Sequence, residues 1–501
     1  MENSRDTKKS YSGKLIARNT VYNFIGYGAP LIVAVIFIPL LIKGLGTEKF
    51  GLLNIIWILI GYFSFFDFGI GKTLTKIVSE KNGLNKEGEI PGIFWTSIFL
   101  MLAISLIGTI VLLLLTKILV YDFLNVSNYL KEETQFTFYV IAISIPVVTT
   151  TAGLRGVLEA YQEFGIINII RIFLGVSTFL APMVCLLFSN SLLWIVVVLS
   201  IVRIIVFILY FIQCLKININ IKREFGFDTK LIKPILKQSS WITISNITAP
   251  LIIYVDRFII GALISATAIT YYATPYEIVT KILLIPGAII TVLFPAFSAT
   301  YYNDPFFSKK LFSRGVKYLF LSIFPVVLVI VFFSYEGLNI WLGQSFAEKS
   351  GFVLETLVIG VLINSLAYIP FNFLIGIGKP DVVSKLQLLE LPFYILFLLL
   401  IIHKFGINGV AVIWTLRVLI DAAILFFISQ RNMKLKIDPS VPFLICLAII
   451  TLSIPFFIGI LFVKIIVIVF VLVFFAFYVW NRLLLEDEKN YIKKIHLLFS
   501  K

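Results

Sequence analysis

The sequence predicts an all-α, polytopic membrane protein of about 14 transmembrane helices, and three observations carry that reading. Of 501 residues, 59% are hydrophobic and only 14% charged, with a mean hydropathy of +1.01, whereas soluble domains run near one charged residue in four. The apolar residues form long blocks of Phe, Ile, Leu and Val, each close to the ~20 residues a helix needs to cross the hydrocarbon core. The cations that make the net charge +15 sit in short connections between these blocks. Several separate soluble domains are excluded by this composition.

The elements follow in order. Residues 1–18 are polar and basic (Arg5, Lys8, Lys9, Lys14, Arg18) and read as a cytoplasmic N-terminal segment. The apolar stretch after them is too long for a signal-peptide core and lacks a small-residue cleavage site, so it reads as a retained first span. A first lobe, 19–214, holds spans at 19–42, 50–70, 92–119, 135–158, 164–188 and 191–214. A basic cytoplasmic linker, 215–238, leads to a second lobe, 239–430, with spans at 239–263, 268–298, 315–335, 352–376, 384–402 and 408–430. Two further spans, 441–462 and 464–482, occupy 441–482, and 483–501 is a cytoplasmic tail.

Orientation follows from Lys and Arg, because cytoplasmic connections carry the positive excess. Thirty of the 42 fall on the side of the N-terminus, seven opposite, and five (Arg171, Arg203, Arg257, Lys281, Arg417) inside spans. A missed or invented span would swap the sides of all later connections and blur that asymmetry. The charge therefore encodes topology, with both termini cytoplasmic, rather than a nucleic-acid footprint. The amphipathic segment 72–91 and the basic connection 216–238 are expected at the inner surface, where anionic membrane lipids attract them.

A faint repeat runs through the chain. GAPLIV at 28–33 matches TAPLII at 248–253, Ile145-Pro146 recurs as Ile369-Pro370, and VRII at 202–205 parallels LRVL at 416–419. The offsets of 220, 224 and 214 residues are close to a single repeat of six helices, which implies two parallel six-helix lobes plus two C-terminal helices.

Enzyme chemistry finds little material. Cys185, Cys214 and Cys446 show no paired spacing, and His403 and His496 are the only histidines, so disulfide, zinc and histidine–metal frameworks are not expected. No connection carries a recognisable nucleophile–base pair or phosphate cradle. Asp122, Glu132 and Glu133 are explained by a solvated external connection.

Ionisable groups inside spans are expensive in hydrocarbon and are the default functional candidates. Glu277 with Lys281 and Arg417 with Asp421 stand at i,i+4, and Asp256 adjoins Arg257, so local neutralisation is expected for all three pairs. Arg171, Arg203 and Glu390 have no such partner in their own span. Arg171 lies near enough to the cytoplasmic face to snorkel, whereas Arg203 is mid-span. An arginine there suits phosphate, since its planar fork donates paired hydrogen bonds and keeps its charge. Prolines inside spans, among them Pro30, Pro39, Pro146, Pro182, Pro250, Pro286, Pro295, Pro325, Pro370 and Pro392, permit the bending that rocking transporters use.

Pro39, LGTEKFG at 45–51 and DFG at 67–69 resemble the start of the prokaryotic polysaccharide flippases, the Wzx-type branch of the multidrug/oligosaccharidyl-lipid/polysaccharide (MOP) exporter superfamily. LRGVLEAYQEFG at 154–165 is similar to the same family, as are Asp256-Arg257, Ile260-Gly261, Tyr271-Tyr272, Ile285-Pro286 and Leu293-Phe294-Pro295. The resemblance implies a flippase for undecaprenyl-diphosphate-linked oligosaccharide, working by alternating access around a cationic cavity between two lobes, for capsule or O-antigen synthesis. It places cavity charge at Asp256 and Arg257. Arg203, Lys281, Arg417 and Arg171 are added as cavity cations, and Asp256, Glu277, Asp421 and Glu390 as acids for proton or sodium coupling, on the residues alone. No cofactor is expected, and polysaccharide polymerase and glycosyltransferases are the expected partners. The alternatives are a cation-coupled multidrug antiporter of the same superfamily, which would want unpaired carboxylates in its cleft, and a membrane polysaccharide polymerase or ligase, which would want a large external catalytic loop.

Overall fold

The structure, a computed structural model, describes residues 13–62, 68–84, 86–301, 304–433, 451–452, 460–483, 486 and 489. Most of the predicted span at 441–462, most of the N-terminal segment and nearly all of the tail lie outside them, as does Asp67 of the DFG motif. Among the described residues the chain is helical throughout, with no strand. That is the expected solution for backbone in hydrocarbon, since a helix satisfies its own N–H and C=O groups. Ten of these helices are long and apolar enough to cross a membrane. One of the ten, Pro380–Met433, folds back at Gly406 and covers two of the spans read from the sequence.

Packing divides the chain into two compact units, Met1–Thr270 and Tyr271–Lys501. Unit 1 opens with α1 (Gly13–Tyr62), broken at Gly46, whose φ of 79° is a backbone state that glycine tolerates at little cost. There follow α2 (Ile70–Gly83), α3 (Ile90–Ile118), α4 (Asn128–Ala160), α5 (Phe164–Leu186), α6 (Leu192–Ile217), the short α7 (Ile219–Arg223) and α8 (Thr229–Leu263). The helix α9 (Ala266–Val279) crosses the boundary. Unit 2 continues with α10 (Leu284–Thr300), α11 (Pro305–Phe332), α12 (Ser334–Leu342), α13 (Gln344–Gly376), α14 (Pro380–Met433) and α15 (Leu461–Tyr478). The sequence places α8 in the second lobe, and here it packs on α2 and α3 of unit 1.

Each unit is built around one enclosed helix. In unit 1, α4 packs against α2, α3 and α6, and in unit 2, α13 packs against α10, α11, α12 and α14. The apolar windows of α4 and α13 are 56% and 61% buried, the highest among the ten spans. These are the two helices that carry the repeated Ile-Pro, with Ile145 and Ile369 both fully buried. The repeat thus falls on equivalent roles in packing. The unit 1 core joins Leu74 and Val78 of α2, Phe94 of α3, Leu154 and Val157 of α4, Ile167 of α5 and Val206 of α6. By contrast, Ile107, Ile110 and Leu114 of α3 are more than half exposed, an apolar outer stripe that suits lipid rather than water.

The LGTEKFG motif acts here as a joint. Thr270 Oγ1 donates to the Thr47 carbonyl at 2.6 Å, and Glu48 accepts from Ser127 N at 2.8 Å and Ser127 Oγ at 2.9 Å. Gly51 lies against the Ala266 carbonyl so closely that a Cβ would come within 1.8 Å of its oxygen. In the LRGVLEAYQEFG motif, Gly156 permits a similarly close crossing, with Thr75 Oγ1 and the Gly71 carbonyl where a Cβ would stand.

Candidate functional site

Unit 1 contains a cavity of about 230 Å³ between α1, α4, α5 and α6. Three arginines line it: Arg155 from α4, Arg171 from α5 and Arg203 from α6, together with Thr151 and Tyr210. Helical spacing brings them there. Thr151 and Arg155 are one turn apart on α4, and Arg203 and Tyr210 two turns apart on α6, so each pair shares a face.

Local bonds hold two of the three. Arg171 Nη1 donates to Asn168 Oδ1 at 2.8 Å, while Asn168 Nδ2 donates to the Phe164 carbonyl at 2.8 Å. Arg155 Nε stands 3.3 Å from Glu159 Oε1, an i,i+4 pair with Arg155 47% exposed. Arg203 makes no ion pair with any described residue. Arg155 is thus paired with Glu159, and Arg203 has no acid partner among the described residues, an arrangement that suits an anion. At about 230 Å³ the cavity is smaller than the roughly 300–1,000 Å³ of drug-sized pockets.

The other predicted residues fall elsewhere. Asp256 and Arg257 on α8 are fully buried. Asp256 Oδ1 accepts the Arg257 N–H at 2.8 Å, and the guanidinium lies over Tyr254, 4.8 Å from the ring centroid. Glu277 and Lys281 form the expected i,i+4 pair at 3.5 Å, with side chains 40% and 46% exposed. The expected Arg417–Asp421 pairing is corrected: the ion pair of Arg417 is with Glu390, Nη1 to Oε2 at 3.6 Å. The fold at Gly406, with φ at 56°, turns the two limbs of α14 back on each other and makes that pairing possible. Asp421 interacts with the Glu390 side chain in the same cluster.

Three charged residues carry roles that sequence reasoning missed. Arg155 counts toward the inner-face excess, yet it lines the cavity. Glu133 is not a freely solvated loop residue, because it pairs with Lys49 and accepts the Leu192 N–H. Lys464, at the start of the predicted span 464–482, is 7% exposed and reaches Glu336 at 2.9 Å, tying α15 to α12. The available signal for Lys464 was its position in the run LFVKIIVIV, where a charge needs a partner.

The structure is similar to the inward-facing conformation of a multidrug resistance MATE family transporter of the MOP superfamily, with a TM-score of 0.68 at 12% identity, covering 82% of this chain and 98% of that one. It is equally similar to the lipid II flippase MurJ in an inward closed conformation, with a TM-score of 0.68 at 15% identity over 92% of this chain and 99% of that one. The chain belongs to the polysaccharide biosynthesis protein family, whose sequence profile matches residues 16–301. It is 30% identical over 418 residues to a Shigella flexneri protein described as "Putative O-antigen transporter", covering 83% of this chain and 98% of that protein.

Proposed function

We propose that this protein moves an undecaprenyl-diphosphate-linked oligosaccharide from the inner to the outer leaflet of the bacterial cytoplasmic membrane by alternating access, for surface polysaccharide synthesis. The carrying observation is the unit 1 cavity lined by Arg155, Arg171 and Arg203, of which Arg203 makes no ion pair with any described residue. A diphosphate cannot enter hydrocarbon without a replacement for its water, and arginine forks supply one. The cavity holds the charged linkage while the sugars stay in wider, wetter space and the polyprenyl tail stays in lipid. Three guanidinium groups lining one cavity disfavour an organic cation as cargo. Glycosyltransferases supply the completed lipid-linked unit and a polymerase consumes it outside. Translocation makes and breaks no covalent bond, so a catalytic nucleophile has no task in it.

The test is to deplete the protein in its host and follow lipid-linked intermediates. Complete repeat units should accumulate on the cytoplasmic leaflet. Accumulation of incomplete units would reassign the protein to synthesis, and unchanged polymer with new sensitivity to cationic drugs would reassign it to drug export.

A further inference from the structure

Arg171 reaches the unit 1 cavity from α5, and a residue that holds it there stands off the cavity wall. Asn168 lies one turn earlier on the same face of α5, behind the guanidinium. It is 3% exposed and sits in the apolar run FGIINIIRIFLG. A carboxamide buried there costs stability unless both of its ends are hydrogen-bonded. Both are: Nδ2 donates to the Phe164 carbonyl, and Oδ1 accepts from Arg171 Nη1, each at 2.8 Å.

The first of these bonds fixes the second. Turned over, the amide would set Oδ1 against the Phe164 carbonyl, acceptor to acceptor, and Nδ2 against the guanidinium, donor to donor. The Phe164 carbonyl therefore orients the amide, and the amide orients Arg171. This turn of α5 is itself fastened to α6, because Tyr210, which lines the cavity, donates to the Ile167 carbonyl at 3.4 Å. The backbone that carries Asn168 is thus tied to the helix that carries Arg203.

A neutral acceptor differs from an acid in what it leaves behind. Arg155 is met by Glu159 at 3.3 Å, a contact that holds a guanidinium and offsets its charge together. Asn168 offers Arg171 an oxygen of no net charge, so it restricts the side chain and takes none of its charge. Arginine loses rotamer freedom when it grips an anion, and a guanidinium already held in place loses less. We propose that Asn168 is a positioning residue of the anion site: it presets Arg171 at the cavity, and its neutrality keeps that charge for a phosphate group of the cargo. The phosphate part rests on the transporter reading above, whereas the anchoring of Arg171 does not.

Variants of the full chain in lipid nanodiscs separate holding from charge. Asn168→Asp keeps the shape and an acceptor and adds a negative charge, Asn168→Leu is close in volume without an acceptor, and Asn168→Ala only removes atoms. Modification of Arg171 by phenylglyoxal, followed by peptide mass spectrometry, reports how firmly the guanidinium is held. It should be slow in the wild type and in Asn168→Asp, and several-fold faster in Asn168→Leu and Asn168→Ala, with Arg203 modified at one rate throughout. Affinity for inorganic diphosphate, measured by calorimetry, should fall about threefold to tenfold in Asn168→Leu and Asn168→Ala. In Asn168→Asp it should fall about tenfold or more, because the added carboxylate repels the anion. A merely structural role predicts the opposite order, since aspartate matches asparagine in shape and leucine does not. Equal modification of Arg171 in the wild type, Asn168→Leu and Asn168→Ala, or faster modification of Arg171 and Arg203 alike, overturns the anchor. Diphosphate affinity in Asn168→Asp at or above that of Asn168→Leu overturns the role of neutrality. A wild type without affinity for diphosphate, whose Arg171 modification follows the stated pattern, sinks the phosphate reading and supports the anchor.

Discussion

Lys49 Nζ lies 3.1 Å from Glu133 Oε2 and donates to the Asn190 carbonyl at 2.9 Å. Glu133 in turn accepts the N–H of Leu192, so one ion pair fastens the bend of α1, the start of α4 and the start of α6. The side chains are 15% and 21% exposed, which sets the interaction between a surface pair and a buried one. Lys49→Ala is expected to lower the stability of unit 1 by about 1–3 kcal/mol, read as a lower melting temperature in detergent. A double-mutant cycle with Glu133→Gln should recover part of the loss. Additive effects would show that the two residues act independently.

Gly51 is expected to be intolerant for a different reason. A Cβ there would meet the backbone oxygen of Ala266 at 1.8 Å, and backbone yields far less than a side-chain end. Gly51→Ala should cost at least about 3 kcal/mol and reduce the yield of folded protein. Gly165→Ala, where nothing lies within 4 Å of the added atom, is the matched control and should fold normally. Equal yields would remove the close crossing as the reason for glycine in the motif.

These two positions show what was legible. Apolar block length and cation asymmetry gave the helical membrane fold, because the bilayer imposes both on sequence directly. The motif LGTEKFG was legible as a mark of family but not as a joint, since its partners Ser127, Glu133 and Ala266 are 79 or more residues away. Arg203 was legible because charge in the middle of an apolar run is conspicuous. Arg155 was not, because a cation near a helix end looks the same whether it faces water or a cavity. The Arg417–Glu390 pairing was hidden for a third reason: i,i+4 spacing offered Asp421, and only the fold at Gly406 brings Glu390 within reach.

Topology is open to direct labelling. In a variant lacking Cys185, Cys214 and Cys446, single cysteines at Lys131 and Lys222 should react from opposite faces with an impermeant thiol reagent, Lys131 from outside. Lys131 lies in the first turns of α4, and Lys222 is exposed on α7. Labelling of both positions from outside would overturn the assignment of cytoplasmic termini.

Arg203 should outrank Lys281 in function. Lys281 has its acid 3.5 Å away in Glu277 and stands 46% exposed, so its loss leaves a carboxylate that water can still serve. Arg203 lines the cavity beside Arg155 and Arg171 and makes no ion pair with any described residue, so its charge is available to a ligand. A hydrogen bond to a charged group contributes about 1.5–3 kcal/mol, which makes Arg203→Ala a roughly tenfold to hundredfold loss of affinity for a diphosphate-linked cargo. Arg203→Lys should fall between, since the charge remains and the paired donors do not. Complementation of polymer export at matched protein level ranks the variants. Normal export by Arg203→Ala together with loss of export by Lys281→Ala would move the anion site out of unit 1.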